Sequence, residues 1–504
     1  MFPGWLTALS DAERARAADQ WAIDTLGIAP SALIERAAAG LADYVQRYVS
    51  DGLIVVVCGS GNNGADGVAA ARLLRGIGRN VRVLSAADPK RTSEELAAQR
   101  QQLPGEAVLP FSAELLDDAA VVVDALLGTG FRGKPRGTIA DAITSITDCG
   151  KPVVAVDMPS GVDASSGEVR GVAVRAQMTV SFASDKVGLH INPGRDLAGA
   201  VRIVDIGIPD GAPIAEPAIG LIDDEPLLAL LPRRGPGSNK FTSGHLYVAA
   251  ASRGLTGAAV LASSAAMRAG AGYVTACVPA SQQPIAASHL VEVMQAALAD
   301  DDGHHCEQGA QQLLSRIAER DGVVLLGPGL GSSKGARSFA RTVAAEVKQP
   351  LVLDADGLNA FAGRVQDLKR RKRPTVLTPH EGELARLLDC DPQKVRERRL
   401  ECAQAVAKKA KATVILKGVD TLVCSPDGLV GISPGASPGL ATAGTGDLLG
   451  GIIGALLARG AEPFVAATAG VRLHARAADL AAAQVGTEGM IASDVLGALP
   501  RAWN

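Results

Sequence analysis

Short apolar runs rich in β-branched residues alternate with alanine-rich helical stretches along this chain. The apolar runs have the length of single strands, and the stretches between them are long enough for helices. Because parallel strands need a crossover connection to join them, the alternation predicts parallel sheets covered by helices on both faces. The expected fold class is therefore α/β, and the pattern predicts two three-layer α/β domains.

The predicted strands form two sets. The first set is Leu53–Cys58, Val81–Ser85, Ala120–Asp124, Val153–Val156, Met178–Phe182 and Val201–Ile206. The second set is His245–Ala250, Tyr273–Val278, Gly322–Leu326, Leu351–Asp354, Thr375–Leu377 and Thr413–Leu416. A passage containing Pro and Gly, Ile208–Pro217, separates them, so we expect domains over residues 1–215 and 216–504. The halves share no repeated motif, which indicates a fusion of different domains.

Composition and charge exclude several classes of function. The 504-residue chain is 47% hydrophobic, and its formal net charge of -3 provides no basic surface for nucleic acid. The basic run Lys369–Arg373 is expected to be a solvated loop. The seven cysteines lack paired metal-type spacing, and no uncharged apolar run reaches membrane-spanning length. We therefore expect a cytoplasmic protein that binds small molecules, not nucleic acid or membranes. We also expect a homo-oligomer, although neither composition nor charge determines the oligomeric state.

The glycine-rich turn Ala441–Asp447 precedes the apolar run Leu448–Leu457 and predicts the start of a helix. The unpaired N–H groups and the dipole at a helix N-terminus attract anions such as phosphate. Asp447 lies at the mouth of this turn and could accept a proton from a hydroxyl while the amides hold a phosphoryl group. The alternative is that Asp447 only caps or complements the helix N-terminus.

Three loops of the first half follow predicted strands and should meet at one edge of the sheet. They are Cys58–Gly67, Val123–Gly133 and Ala155–Asp163. The first contains a G-x-G-x-x-G pattern, but the next strand ends at Ser85 and not at an acidic residue, which disfavours a standard dinucleotide-binding dehydrogenase. Its consecutive Asn62 and Asn63 could coordinate a cation or hydrogen-bond a sugar or an amide. Alternatively, they only accept the left-handed backbone angles of a tight turn.

These loops resemble the N-terminal epimerase domain of the bifunctional NAD(P)H-hydrate repair enzymes. The motifs that carry the resemblance are Gly61–Gly67, Asp124–Gly130 and Val156–Gly167, with Ala65 where the family usually has glycine. The resemblance implies that Asp157 transfers the proton at the hydrated nicotinamide C6. Without the resemblance, Asp157 would be interpreted as a strand-end residue whose carboxylate accepts hydrogen bonds from loop amides. The implied K⁺ ligands are Asn63, Asp124 and Ser160. The implied substrate contacts are Asp157 with Asn62, Asn63, Gly64, Ala65, Asp66, Gly128, Thr129, Gly130, Phe131, Arg132, Gly133 and Lys134.

The second half resembles the dehydratase domain of the same family, which has a ribokinase-like fold. The motifs that carry the resemblance are Thr256–Ala259, Gly327–Gly331, Leu353–Asn359, Thr378–Glu383, Leu416–Thr421 and Ala443–Asp447. By resemblance, Asp447 is the catalytic base, and Glu383 takes the place of a carboxylate that organises Mg²⁺ and phosphate through water. The implied substrate contacts are Ala258, Gly329, Gly331, His380 and Asp447. The implied nucleotide contacts are Lys417, Gly418, Val419, Asp420, Thr421 and Gly446.

Together the two resemblances imply a nicotinamide-nucleotide repair enzyme. The first domain would interconvert the R and S forms of hydrated NADH or NADPH, and the second would dehydrate the S form at the expense of ADP. Phosphorylation of the C6 hydroxyl would make it a good leaving group. The assignment of ADP comes from the resemblance, since the sequence does not separate ADP from ATP. The alternatives are a ribokinase-like kinase of a small molecule such as a vitamin, with an accessory nucleotide-binding domain, and a non-catalytic binding scaffold.

Overall fold

The computed structural model describes residues 2–87, 92–209, 211–214 and 216–503. The chain divides into two compact units. Ala8–Ile219 form nearly all of the first unit, and Pro3–Thr7 join Gly220–Asn504 in the second. The boundary predicted near residue 215 falls at a position outside the described residues, and the sequence contained no sign that Pro3–Thr7 belong with the second unit.

The first unit contains one seven-stranded sheet whose paired strands all run parallel, in the order β4-β3-β2-β5-β6-β7-β8. After β1 (Leu6–Ala8), which joins the other sheet, its strands are β2 (Leu53–Cys58), β3 (Val81–Ser85), β4 (Leu109–Pro110), β5 (Ala119–Ala125), β6 (Val153–Val156), β7 (Met178–Phe182) and β8 (Ala200–Val204). The helices are α1 (Ala12–Asp24), α2 (Pro30–Tyr48), α3 (Asn62–Gly76), α4 (Glu94–Gln102), α5 (Gly137–Asp148) and α6 (Gly194–Ala198).

Strand β2 shows how the sequence builds the layers of this unit. Because successive side chains of a strand point to opposite faces, Ile54 and Val56 join an apolar core with α2 and α3. Val55 and Val57 join a separate core with α5 on the other face. A run that is apolar on both faces is what a strand buried between two helical layers requires, so the predicted α/β class is confirmed.

The second unit contains an eleven-stranded sheet in the order β1-β9-β20-β19-β18-β17-β16-β15-β10-β11-β12, and a separate hairpin of β13 and β14. The strands are β9 (Ile219–Ile222), β10 (His245–Ala249), β11 (Tyr273–Pro279), β12 (Met294–Leu298), β13 (Asp300–Asp301), β14 (His304–His305), β15 (Val323–Leu326), β16 (Leu351–Leu353), β17 (Thr375–Leu377), β18 (Thr413–Leu416), β19 (Leu422–Cys424) and β20 (Val430–Ile432). From β18 to β12 the pairing is parallel, whereas β18, β19 and β20 pair antiparallel.

The helices of the second unit separate its parallel strands, as the alternation predicts. They are α7 (Asp224–Ala229), α8 (Thr256–Arg268), α9 (Gln283–Ala287), α10 (Glu307–Glu319), α11 (Lys334–Glu346), α12 (Ala355–Asn359), α13 (Glu381–Leu388), α14 (Pro392–Glu397), α15 (Arg399–Ala410), α16 (Thr445–Ala458), α17 (Pro463–Val485) and α18 (Ala492–Ala498). Within the described ranges, no helix is both long and apolar enough to cross a bilayer.

The basic run Lys369–Arg373 differs from the expected solvated loop at one residue. Arg371 donates hydrogen bonds to the carbonyls of Ala344, Val347 and Gln349, at 2.6, 3.0 and 2.6 Å. Burial lowers the pKa of this guanidinium to about 10. The arginine therefore ties together the carbonyl ends of a helix and a loop, a role that its neighbours in the sequence did not indicate.

Candidate active sites

A cavity of about 850 Å³ lies at the carboxyl ends of the strands in the first unit. Its wall is formed by the loops after β2, β5, β6 and β7 and by residues of α1 and α2. Carboxyl ends of parallel strands are where ligands bind in open α/β sheets. Of the predicted substrate contacts, the residues that line this cavity are Asn62, Asn63, Asp66, Gly128, Thr129, Gly130, Phe131 and Asp157.

The remaining predicted contacts of this unit do not line the cavity. Gly64 and Ala65 are buried, and the Ala65 side chain belongs to the apolar core with α2. The methyl group that distinguishes this chain from the family's usual glycine therefore faces the core and does not narrow the turn. Arg132, Gly133 and Lys134, which the structure describes, are also absent from the cavity wall.

Glycines let the first two loops approach each other closely. A Cβ atom on Gly59 would lie 2.0 Å from the carbonyl oxygen of Leu126, so only glycine fits there. A Cβ atom on Gly128 would lie 2.9 Å from Oδ1 of Asn63 and 3.0 Å from Oδ2 of Asp157. The two polar side chains thus converge on the same glycine, as the positions of the loops after neighbouring strands predicted.

Asp157 forms an ion pair with Lys186 at the wall of the cavity. Oδ1 of Asp157 lies 2.9 Å from Nζ of Lys186, and Oδ2 accepts a 2.8 Å hydrogen bond from the Thr129 amide. Burial alone would raise the pKa of Asp157, but the Lys186 ammonium and the Thr129 hydrogen bond outweigh it and hold the pKa below its usual value. The Lys186 side chain is only 3% exposed and also donates to the Phe182 carbonyl at 2.6 Å. The ion pair and the hydrogen bond therefore favour the ionised form of Asp157, whose carboxylate also accepts a hydrogen bond from a loop amide.

Two further carboxyls of the cavity wall have raised pKa values, in contrast to the lowered pKa of Asp157. Burial, with added repulsion from Asp157 and Asp19, raises the pKa of Asp66 well above its ordinary value. Burial also raises the pKa of Asp19 to about 6, although the Lys186 charge counteracts it. Asp19 and Lys186 were not among the predicted site residues. A charged residue soon after a buried strand was the available signal for Lys186, whereas the sequence contains none for Asp19, which lies on α1.

Two of the three predicted K⁺ ligands are in direct contact. Oδ1 of Asp124 accepts a hydrogen bond from Oγ of Ser160 at 2.6 Å, and Oδ2 accepts from the Ser160 amide at 2.8 Å. Both residues are fully buried, and neither lines the cavity. Burial raises the pKa of Asp124 to about 6 despite these hydrogen bonds. Nδ2 of Asn63 is buried without a hydrogen-bond partner among the described residues.

The polar site of the second unit gathers side chains that follow neighbouring parallel strands. Nζ of Lys417, after β18, lies 3.3 Å from Oδ1 of Asp354, after β16, and 3.7 Å from Oε2 of Glu383. Thr378, after β17, donates a 2.7 Å hydrogen bond to Oδ1 of Asp354. Three adjacent strands therefore bring their terminal polar residues together.

Asp447 lies in the first turn of α16, as predicted. Burial and the Asp354 carboxylate raise the pKa of Asp447 to about 7, although the Lys417 ammonium opposes this rise. A Cβ atom on Gly446 would lie 3.6 Å from Nζ of Lys417, so the predicted anion turn adjoins the Lys417 amine. A carboxyl that titrates near neutrality beside an anion-attracting helix N-terminus is suited to accept a proton during transfer of a charged group.

The predicted substrate residues of this unit occupy two places. At one, a Cβ atom on Gly329 would lie 2.9 Å from Cβ of Ala258, and the Gly331 amide donates a 2.8 Å hydrogen bond to Oδ2 of Asp356. At the other, Nδ1 of His380 accepts hydrogen bonds from backbone amides of α13 and so caps that helix. The His380 side chain is still 54% exposed, which leaves the rest of the imidazole accessible.

Within the predicted nucleotide loop, Asp420 does not face solvent. It is 1% exposed, and its Oδ2 lies 2.9 Å from Nε of Arg399. Thr421 closes the loop by donating from Oγ1 to the Gly418 carbonyl at 2.6 Å. Val419 is half-exposed. A buried ion pair between Asp420 and Arg399 thus holds the loop, and no sequence motif indicated it.

Among the described residues, no three His, Cys, Asp or Glu side chains converge as a preformed metal site. All seven cysteines are free thiols. Metal binding at either site would therefore depend on oxygen donors supplied partly by the ligand, by amides and hydroxyls, or by water.

Comparison with known proteins assigns a family to each unit. Residues 246–501 match the family model described as NAD(P)H-hydrate dehydratase, and residues 30–188 match the one described as YjeF-related protein N-terminus. The ADP/ATP-dependent NAD(P)H-hydrate dehydratase from Bacillus subtilis, co-crystallised with ATP/Mg2+, is a similar solved structure. It covers 56% of this chain and 96% of its own, with 29% identity and a TM-score of 0.47.

Relatives that span both units are known. The bifunctional NAD(P)H-hydrate repair enzyme of Moorella thermoacetica is 39% identical, over 93% of this chain and 91% of its own length. The enzyme of that name from Escherichia coli is 34% identical, over 98% of this chain and 93% of its own. Since the similarity runs through both units, this chain belongs to the family of bifunctional NAD(P)H-hydrate repair enzymes.

Proposed function

We propose that this chain repairs hydrated NADH and NADPH, with a first unit that interconverts the R and S forms at C6 and a second that dehydrates the S form. The observation that carries the proposal is a pair of carboxyls with unlike electrostatics. Asp157 is held ionised by Lys186, whereas Asp447 titrates near pH 7 beside an anion-attracting turn. Such differences separate the roles of proton-transferring carboxyls. Membership of the repair family supplies the substrate.

In the dehydration, Asp447 accepts the proton of the C6 hydroxyl while the hydroxyl oxygen attacks a phosphoryl group of the nucleotide. The amides at the start of α16, including that of Gly446, bind the charged oxygens of that group. Phosphate then leaves C6 as the ring double bond forms. The net reaction is removal of water at the expense of the nucleotide, which we take to be ADP.

The charge balance of this site fits a divalent cation. Asp354, Glu383 and Asp447 bring three carboxyls around the single ammonium of Lys417. Mg²⁺ is commonly held by one or two carboxylates together with substrate phosphates and water, so a preformed protein cage is not needed. Glu383 would help to hold it through water, together with the phosphate oxygens, and the ion would neutralise the phosphate charge.

In the epimerisation, Asp157 accepts the C6 hydroxyl proton as the C6–N1 bond breaks to give an open-chain aldehyde, and it returns the proton when N1 attacks the opposite face of that carbonyl. Lys186 stabilises the ionised Asp157 carboxylate that starts this step. Burial raises the pKa of Asp66 well above its ordinary value and that of Asp19 only to about 6, so Asp66 is the better candidate for a neutral carboxyl in the same wall. A neutral carboxyl in the same wall can protonate N1 as the C6–N1 bond breaks and take that proton back when the ring closes.

A potassium ion fits the oxygen atoms behind this cavity. Asp124, Ser160 and Asn63 would hold it, and their single negative charge suits a monovalent hard cation. The fully buried Asp124 carboxyl is the feature that favours a cation here. The ion would supply positive charge that stabilises the ionised, buried Asp124 carboxylate.

The deciding experiment incubates the purified chain with a mixture of R and S hydrated NADH, Mg²⁺ and ADP, and follows the return of NADH. We expect complete conversion by the wild type. Asp157→Asn should stall when the S form is consumed, and Asp447→Asn should form almost no NADH. Conversion of both forms by Asp157→Asn at the wild-type rate would refute the assignment of the first site.

The same assay tests the kinase alternative. A kinase would accumulate a phosphorylated product, whereas a dehydratase releases inorganic phosphate together with NADH. Repeating the assay with ATP in place of ADP separates the two donors by their kcat/KM. Homo-oligomerisation and a cytoplasmic location stay predictions, which sedimentation and cell fractionation would test.

A further inference from the structure

The amine of Lys417 faces the anion turn and not the nucleotide loop to which its sequence position belongs. Nζ lies 3.3 Å from Oδ1 of Asp354 and 3.7 Å from Oε2 of Glu383. A Cβ atom on Gly446 would lie 3.6 Å from it. The side chain is 23% exposed, so it is largely enclosed but still reaches the surface of the site.

The rest of the loop after β18 is held by other contacts. The guanidinium of Arg399 pairs with Asp420 from beneath and donates to the Lys417 carbonyl at 3.3 Å. Thr421 hydrogen-bonds both the amide and the carbonyl of Gly418. The backbone conformation of the loop therefore does not depend on the Lys417 side chain, whose amine makes its contacts outside the loop.

Asp354 determines where the Lys417 ammonium sits. It is 1% exposed, and Oδ1 accepts hydrogen bonds from Thr378 at 2.7 Å and from Lys417 at 3.3 Å. The ammonium therefore lies between the Asp354 and Glu383 carboxylates, which hold it beside the anion turn. An ammonium held next to a helix N-terminus adds a full positive charge to the anion-attracting backbone amides of that helix.

We propose that Lys417 binds the phosphoryl group during its transfer and does not recognise the adenine end of the nucleotide. Asp354 acts as the positioning residue for Lys417. The inference deepens the proposed dehydratase function and rests on it. In the transfer, the bond between the donor's terminal phosphorus and its bridging oxygen breaks, and a bond forms from that phosphorus to the C6 oxygen. The hydroxyl proton passes to Asp447. The C6–O bond then breaks to release phosphate, and the C5 proton leaves to solvent. Lys417 neutralises charge throughout and transfers no proton.

Steady-state kinetics with separate variation of ADP and hydrated NADH distinguish the two roles. For Lys417→Gln we expect kcat of dehydration to fall about 10²–10³-fold while KM for ADP changes little, as for loss of a group that stabilises charge in the transition state. Thr421→Val is the matched loop variant and should raise KM for ADP while kcat changes little. A raised KM for ADP with unchanged kcat in Lys417→Gln would overturn the proposal.

Asp354 is tested by non-additivity. Asp354→Asn should lower kcat about tenfold without raising KM for ADP, and the double variant Asp354→Asn/Lys417→Gln should be no slower than Lys417→Gln alone. Multiplicative losses in the double variant would contradict a role exercised through Lys417. Lys417→Arg, which keeps the positive charge, should recover part of the rate. Epimerase activity, which resides in the other unit, serves as the folding control.

Binding without turnover provides a measurement that does not depend on dehydratase activity. Calorimetry with pyrophosphate and with adenosine is carried out on the wild type, Lys417→Arg and Lys417→Gln in the presence of Mg²⁺. We expect pyrophosphate binding to weaken at least about tenfold in Lys417→Gln and adenosine binding to be unchanged. Weakened adenosine binding with unchanged pyrophosphate binding would overturn the proposal. A wild type that binds both probes but dehydrates nothing would contradict the proposed function and not the phosphate contact.

Discussion

Ionisation of Asp124 should destabilise the first unit unless a cation binds beside it. The carboxyl is fully buried, and burial raises its pKa from 3.8 to about 6 although hydrogen bonds from Ser160 and Leu126 act against this. The folded state therefore binds the Asp124 proton more tightly than the unfolded state does. The resulting stability is complete below pH 3.8 and is lost as the pH rises through about 6.

The size of the effect follows from the two pKa values. A difference of about 2 units corresponds to about 3 kcal/mol of unfolding free energy. About half of this loss falls between pH 5 and pH 8, because the unfolded carboxyl is already ionised at pH 5. We expect the wild type to lose about 1.5 kcal/mol more than Asp124→Asn over this range in potassium-free buffer. Addition of KCl should remove most of that difference, since a bound cation stabilises the ionised carboxylate.

Native-state hydrogen exchange in urea measures this free energy at the right place. The amides of β5 (Ala119–Ala125) belong to the buried sheet of the first unit, so their exchange reports its unfolding and not that of the second unit. Asp124→Asn is the control because it keeps the shape of the side chain but does not ionise. If the unfolding free energies of wild type and Asp124→Asn depend on pH in the same way in potassium-free buffer, ionisation of Asp124 does not destabilise the first unit. If KCl leaves the difference in unfolding free energy between wild type and Asp124→Asn unchanged, the proposed binding of K⁺ beside Asp124 is refuted.

Asp447→Asn should lower the rate of dehydration about 10²–10⁴-fold, because the amide cannot accept the hydroxyl proton, while ADP binding measured by calorimetry persists. Since burial raises the pKa of Asp447 to about 7 and the base must be ionised, wild-type dehydration should increase with pH through about 7; a flat profile there would be inconsistent with this base. Lys186→Met leaves Asp157 as a buried, unpaired charge and should cost the first unit about 3–5 kcal/mol, measured by denaturation, with much of it recovered in Lys186→Met/Asp157→Asn. A fragment of residues 221–504 should dehydrate only the S form and melt earlier than the second unit of the intact chain, because it lacks the buried Trp5; equal melting temperatures would contradict that role.

The sequence by itself determined the α/β architecture and the loops that carry the polar residues. These follow from local rules, since strands that are apolar on both faces require helical layers and parallel strands place their following loops at one edge. For that reason Asn62, Asn63 and Asp157 line the first cavity and Asp447 begins a helix, as predicted. The glycines of the loops were also informative, because close approach of two backbones excludes any side chain.

Only the tertiary structure decided which charged groups that are distant in sequence form ion pairs, and in which direction side chains point. Lys186 meets Asp157 because the strands that precede them, β7 and β6, are neighbours in the sheet. Lys417 turns toward Asp354 although its sequence motif indicates a nucleotide loop. Ala65 faces the apolar core, and Pro3–Thr7 join the second unit. Strand order and side-chain direction arise from long-range pairing and packing, and no local pattern of residues encodes them.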